Sequence, residues 1–356
     1  MSELSLYAIF APGDAVAPQA AIDGARVVRH GGLAALVGED GGGDLQALSR
    51  EEAVRRLIDH QRIVEGVMGQ GVVLPVKFGT TLPDEGAVVR VLAQAAPMFR
   101  PRLAALAGHV QIELAVTWPV QTVLGEIAAG DDVRRLKATI VARGEQATVD
   151  ERVALGRFVK AALDGRRAAA AEVIRAAVAP LVADVVENAL LDDRMVANLA
   201  LLVPQAGIAA LEQAVDRLDV VFGGLMTFRL VGPLPPYSFA MVEVARTSVA
   251  EIETARQALG LGLAADPDEI RAAYRQAAKQ CHPDVGTAPG PDADARFACL
   301  TAAYRSLAAY AEARRGLAAT DAIDAEGDFE PSAVERTMIV AVRRQDAAAS
   351  GAGAAP

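Results

Sequence analysis

The sequence predicts an α+β fold: two small α/β domains with a long helical segment between them, followed by an all-α helical hairpin. Apolar runs of strand length, bounded by glycine and proline, recur over 4–37, 72–78, 110–117 and 196–244. Between them, Gln121–Asp192 is rich in Ala, Arg and Glu and reads as almost wholly helical, broken near Gly130, Gly144 and Pro180. Two helical stripes then face each other across a Gly/Pro-rich stretch and end near Gly316. A chain of 356 residues exceeds one typical domain. The expected units are 1–118, 119–246 and 252–316, with a partly disordered tail over 317–356.

Hydrophobic residues make up 52% of the chain and aromatic residues only 4%, an excess of alanine that favours many closely packed helices. A net charge of −10 argues against a nucleic-acid partner. Only Cys281 and Cys299 occur, which suits a reducing cytosol without a disulfide framework. His30, His60 and His109 have no paired ligand spacing, so neither a metal nor a cofactor is expected. Glu3 and the lack of a basic lead before Leu4 argue against a signal peptide. Even Leu199–Leu211 is interrupted by Pro204 and Gln205, so no membrane span is expected.

In order, Leu4–Phe10 reads as a buried strand, and Arg26–Val28 with Leu33–Val37, separated by His30-Gly31-Gly32, as a hairpin. Gly38–Gly43 reads as a surface loop, and Ser49 with Glu52 as a capping box opening a helix to about Met68. His60 within that helix is solvated or packed rather than catalytic. Val72–Phe78 is a strand that Pro75 confines to an edge or a bulge. Asp84–Phe99 reads as a helix, and Val110–Thr117 as the strand that closes the first domain near Trp118-Pro119. Val196–Val203, Ile208–Val221 and Met226–Val231 then give strand, helix, strand in a second domain.

Two passages stand out. Val73-Leu74-Pro75-Val76-Lys77-Phe78-Gly79-Thr80 continues to Pro83-Asp84, and reads as a strand, a glycine turn and a capped helix start. Gly232-Pro233-Leu234-Pro235-Pro236-Tyr237-Ser238-Phe239 places three prolines within four residues, which makes a rigid extended rim before a last strand over Ala240–Val244. Rigidity leaves Tyr237 and Phe239 either in the core or at an interface; the apolar strand that follows favours the inward reading. In this order, the passages resemble the gas vesicle proteins GvpF and GvpL over Met1 to about Arg246. The resemblance implies two ferredoxin-like α/β domains, with Pro75, Phe78, Gly79, Pro83, Gly232, Pro233, Pro236, Tyr237, Ser238 and Phe239 as its signature residues. That region is expected to fold without the rest.

Further on, Ile270, Tyr274, Ala277 and Cys281 form one helical stripe, while Arg271, Arg275 and Lys279 lie on another face. Pro267 and Asp268 suit the start of that helix and Pro283 its end. Gly286–Pro291 reads as a loop, after which Phe297, Leu300, Tyr304 and Leu307 line a second helix. The hairpin tip carries His282, Pro283 and Asp284. The segment Ile252–Gly316 holds eight acidic and eight basic residues, so its basic helix is a local feature fitted to an acidic protein patch. The arrangement resembles the J domain of DnaJ-type co-chaperones over roughly Ile252–Arg315, including Leu259-Gly260-Leu261. Cys281 stands where the family has tyrosine, and the first helix lacks the family's aromatic pair. In the tail, Thr337–Val342 is either a strand added to an open sheet edge or a frayed apolar end.

Together the resemblances imply a gas vesicle accessory or minor structural protein, cytoplasmic and vesicle-associated, working with other vesicle accessory proteins. It would bind the hydrophobic shell protein and recruit a DnaK-type chaperone through His282, Pro283 and Asp284, with Arg271, Arg275 and Lys279 steering docking. The sequence holds no nucleophile and histidine motif, Gly-rich phosphate loop or metal spacing, so no catalytic residue and no enzyme activity are expected. Two alternatives stay open: a structural vesicle component whose J-like hairpin is only a spacer, and a cytosolic co-chaperone or ligand sensor unrelated to vesicles.

Overall fold

The structure, a computed structural model, describes residues 3–11, 24–39, 48–68, 71–143, 148–281, 293–318 and 327–345. It forms two compact units, one of Met1–Ala107 with Ala240–Arg343 and one of Gly108–Phe239 with Arg344–Pro356.

The first unit is built on β1 (Leu4–Phe10), whose buried side chains anchor a sheet. β2 (Ala25–His30) and β3 (Leu33–Glu39) form the expected hairpin. Its two-residue turn has Gly31 at φ +55° and Gly32 at φ +76°, a conformation that suits glycine. α1 (Arg50–Met68) starts at the expected cap, where Glu52 N donates to Ser49 Oγ at 3.2 Å. β4 (Val73–Pro75) pairs with β1 and ends at the proline, short of the expected end at Phe78, and β5 (Thr81–Leu82) also joins β1. The expected single helix after Asp84 is two: α2 (Glu85–Gln94) and α3 (Ala96–Leu106), split at Ala95 just ahead of Pro97.

The second unit is a sheet in the order β7-β8-β6-β9. β6 (His109–Thr117) does not close the first domain; it lies inside this second sheet. Alternation reveals a strand but not its partners, and both neighbours of β6 come later in the chain. The helical stretch resolves into α4 (Val120–Ala128), α5 (Asp131–Arg143) and α6 (Val149–Val178), the last opened by a Thr148–Glu151 capping box. Beyond the turn at Ala179–Leu181 the helical expectation fails, because β7 (Asp184–Glu187) is a strand paired with β8 (Met195–Pro204). α7 (Ile208–Val221) and β9 (Thr227–Leu234) complete the unit.

The chain then returns to the first unit. β10 (Met241–Arg246), read from sequence as the end of the second domain, meets β4 instead: Lys77 N donates to Val242 O at 2.9 Å. α8 (Val249–Ala258), β11 (Ala264–Ala265), α9 (Pro267–Cys281), α10 (Ala293–Ala318), β12 (Gly327–Asp328) and α11 (Pro331–Arg336) follow. The tail run is a strand, β13 (Met338–Arg343), antiparallel to β10 along its whole length.

The helical hairpin is not a tethered module. α10 packs on α2 and on β13. At Gly316 an added Cβ would stand 2.9 Å from the Gln94 carbonyl oxygen, so only glycine allows this approach. Gln94, buried, donates from Nε2 to Met338 O at 2.6 Å. Excising the hairpin would therefore uncover an apolar seam on the first unit.

Candidate functional site

α9 and α10 meet around a core of Ile252, Leu259, Ile270, Leu300, Leu307 and Tyr310. Tyr274 stacks on Tyr304 with ring centroids 4.6 Å apart and lies within hydrogen-bonding distance of Thr301 Oγ1 at 3.2 Å. Phe297 is half-buried. The helix start is fixed by Asp266, whose Oδ1 accepts from the N–H groups of Asp268 and Glu269, while Glu269 Oε2 accepts from Asp266 N. With the stripe turned inward, Arg271, Arg275 and Lys279 are exposed on the opposite side. Arg271 is paired with Asp268 at 2.7 Å. His282, Pro283 and Asp284 lie outside the described residues, as does the Gly286–Pro291 loop.

The first signature passage is an edge and a turn. Pro75 is buried in β4 opposite Ala8. Thr80 closes the turn by donating from N and Oγ1 to Lys77 O, and Gly79 sits at φ +83° where a side chain would be strained. Phe78 and Pro83 are half-buried, and Asp84 caps α2 by accepting from Ala87 N at 2.7 Å. His60, read from sequence as solvated or packed, is packed beneath this turn. Its Nε2–H donates to Val76 O at 3.0 Å, and its ring lies 5.2 Å from Tyr7 and 5.5 Å from Phe78. Burial pushes the imidazole below its ordinary pKa, against the opposing pull of the Val76 hydrogen bond. Glu243 on β10 bridges Lys77 and Arg343. Burial pushes its carboxyl up, but hydrogen bonds from Arg343 and Lys77 outweigh this and hold it low.

The second passage is a clamp. Gly232 sits at φ +152°, and an added Cβ would stand 2.7 Å from Ile112 Cδ1 and 2.9 Å from Gln111 O. Pro233 is exposed, Pro236 buried and Tyr237 half-buried. Phe239 is buried, in keeping with the inward reading. Ser238 N donates to Gln111 Oε1 at 2.9 Å, Gln111 Nε2 donates to Ser238 Oγ, and Ser238 Oγ donates to Gln345 Oε1. Sequence reasoning missed Gln111; a lone amide inside an apolar strand was its signal. Gln111 also donates to Glu113, whose carboxyl burial pushes up and this hydrogen bond lowers in part.

Among the described residues no group of His, Cys, Asp and Glu is placed to hold a metal ion, and no helix is long and apolar enough to cross a membrane.

The family model described as gas vesicle synthesis protein GvpL/GvpF matches residues 4–241, and a DnaJ domain model matches residues 257–315. Gas vesicle protein F of Streptomyces sp. (strain CB03234) is 32% identical over 215 residues, covering 60% of this chain and 87% of that protein. Chaperone protein DnaJ of Latilactobacillus sakei is 49% identical over 49 residues, 14% of this chain and only 12% of that protein. The crystal structure of GvpF from Anabaena sp. PCC7120 superposes with a TM-score of 0.58 at 23% identity, over 67% of this chain and 98% of that one. That of GvpF from Microcystis aeruginosa gives 0.56 at 20%, with the same coverage. Both signature passages lie inside the matched region and the basic face of α9 inside the DnaJ match, so the chain belongs to the gas vesicle synthesis protein GvpL/GvpF family and carries a DnaJ domain behind the family region.

Proposed function

We propose that this protein assists gas vesicle assembly by binding the hydrophobic shell protein through its GvpL/GvpF region while its J domain recruits a DnaK-type chaperone, and that it catalyses no reaction of its own. The observation that carries the reading is the outward basic face of α9, Arg271, Arg275 and Lys279, built into the same compact unit as the first family passage. Unassembled apolar subunits aggregate unless held, so fixing a chaperone-recruiting face to a holding domain has a physical use. Arg271, Arg275 and Lys279 steer a complementary acidic surface, and His282, Pro283 and Asp284 stimulate ATP hydrolysis in the partner.

The test uses the full chain with a purified DnaK-type chaperone. The unmutated protein raises the ATPase rate, His282→Gln abolishes the increase, and Arg275→Glu with Lys279→Glu weakens it most at low salt. Shell protein co-expressed with the full chain stays soluble. An unmutated chain that leaves the ATPase rate unchanged reduces the J domain to a spacer and sinks the recruitment half of the reading.

A further inference from the structure

The sheet of the second unit ends differently on its two sides. On one side β7 is only four residues long, and Arg344 covers it by donating from Nη2 to Val185 O at 2.7 Å and to Asp184 Oδ1 at 2.8 Å. On the other side β9 runs for eight residues and, among the described residues, pairs only with β6. An edge strand of that length presents alternate N–H and C=O groups to any extended chain, and proteins ordinarily blunt such edges. Here the blunting is confined to the Gly232-Pro233 end, where the proline has no N–H to offer. Thr227–Val231 stays open.

Two features say what fits there. Phe228 and Leu230 stand opposite Val116 and Leu114 on the buried face of β6, so Thr227, Arg229 and Val231 point to the other face and are exposed. Arg229 makes no ion pair with any described residue, and Glu113 on the same face of β6 is already held by Gln111 and by Asn188 at 3.3 Å. On the helix side, the contact of Phe222 with Phe228, 6.3 Å between centroids, brings the end of α7 over the start of β9. There Val221 and Leu225 are 67% and 61% exposed, an apolar pair at the end of the helix that leads into β9.

We infer that β9 is a strand-addition site for an extended partner segment that is apolar toward Val221 and Leu225 and carries a carboxylate toward Arg229. Main-chain hydrogen bonds along Thr227–Val231 supply the attachment, and the two faces supply the selection. A second copy of this chain is a poor occupant. Antiparallel self-pairing of β9 would place two exposed Arg229 side chains opposite or diagonal to each other, a like-charge contact that opposes association.

The probe is a synthetic peptide of alternating valine and threonine with one central threonine replaced by glutamate, titrated into the full chain, with the lysine-centred peptide as its pair. The glutamate peptide binds about fivefold more tightly than the lysine peptide, and Arg229→Glu reverses the order. Hydrogen exchange at Thr227–Val231 slows only in the bound state. Equal binding of the two peptides, or unchanged exchange along β9, overturns the inference. So does a dimer of the chain alone that protects the same amides, which assigns the edge to a second copy. Because the probe is neither shell protein nor chaperone, these outcomes stand apart from those of the assembly reading.

Discussion

The two family passages solve the same task, fixing a proline-containing stretch at a sheet margin, by opposite means. Val73–Asp84 ends in an exposed turn latched by charges, with Glu243 between Lys77 and Arg343. Gly232–Phe239 is latched by neutral groups, with buried Ser238 bonded to buried Gln111 on one side and to the exposed Gln345 on the other. Exposed ion pairs are worth about 0–1 kcal/mol, while a buried polar group stripped of its partner costs about 1–3 kcal/mol. The second passage therefore carries more of the fold's stability, and substitutions rank accordingly.

Phe239→Ala should have the largest effect. The side chain is buried, so the loss is about 3–5 kcal/mol, read as a melting temperature lower by on the order of 10 °C. An unchanged melting temperature with reduced shell-protein binding would turn the passage into an interface and break the comparison. Gly232→Ala comes next at about 2–3 kcal/mol, because the methyl group meets both a positive φ and the backbone of β6. Repacking of Ile112 alone relieves only one of the two contacts, so Gly232→Ala combined with Ile112→Val should recover a minor part of the loss in a denaturant titration.

How much of this was legible follows from the range of the forces involved. Local signals read well: Ser49 with Glu52, the Gly31-Gly32 turn, the stripe of Ile270, Tyr274 and Ala277, and the inward Phe239 all depend on residues within a few positions. Long-range partners did not read. β6 looks like a closing strand until its pairing with β8 and β9 is known, and Asp184–Glu187 is too short to stand out after thirty residues of helix. The seat of Gly316 on Gln94 spans most of the chain and leaves no periodic trace. The immediate sequence neighbours of His60 are polar, whereas its environment is set by Tyr7, Val76 and Phe78 from two other segments.

His60 gives the first passage a buried polar contact of its own, through Val76 O. The folded-state pKa of His60 is lowered, so the unfolded chain takes up the proton first as the pH falls. The contribution is therefore fully present above the ordinary value of 6.5 and is lost as the pH drops from there toward the lower folded value. Denaturant midpoints of the wild type and His60→Gln, compared between neutral and mildly acid pH, should converge as the pH falls. A constant gap between them would mean that His60 acts through its packing alone.

Glu243→Gln should have the smallest effect, about 0–1 kcal/mol, although its two ion pairs are the most visible feature of the first passage. Lys77 and Arg343 are well exposed, so solvent and salt screen both contacts, and the glutamine amide keeps an oxygen that accepts from either. The folded-state pKa of Glu243 is lowered, so its contribution is present above the unfolded value of 4.5 and is lost as the pH falls through the folded value. The stability difference between wild type and Glu243→Gln should thus vanish in acid and shrink at high salt. A loss well beyond 1 kcal/mol that survives salt would show that the charge latch, rather than the backbone hydrogen bond from Lys77 to Val242 on β10, holds the first passage in place.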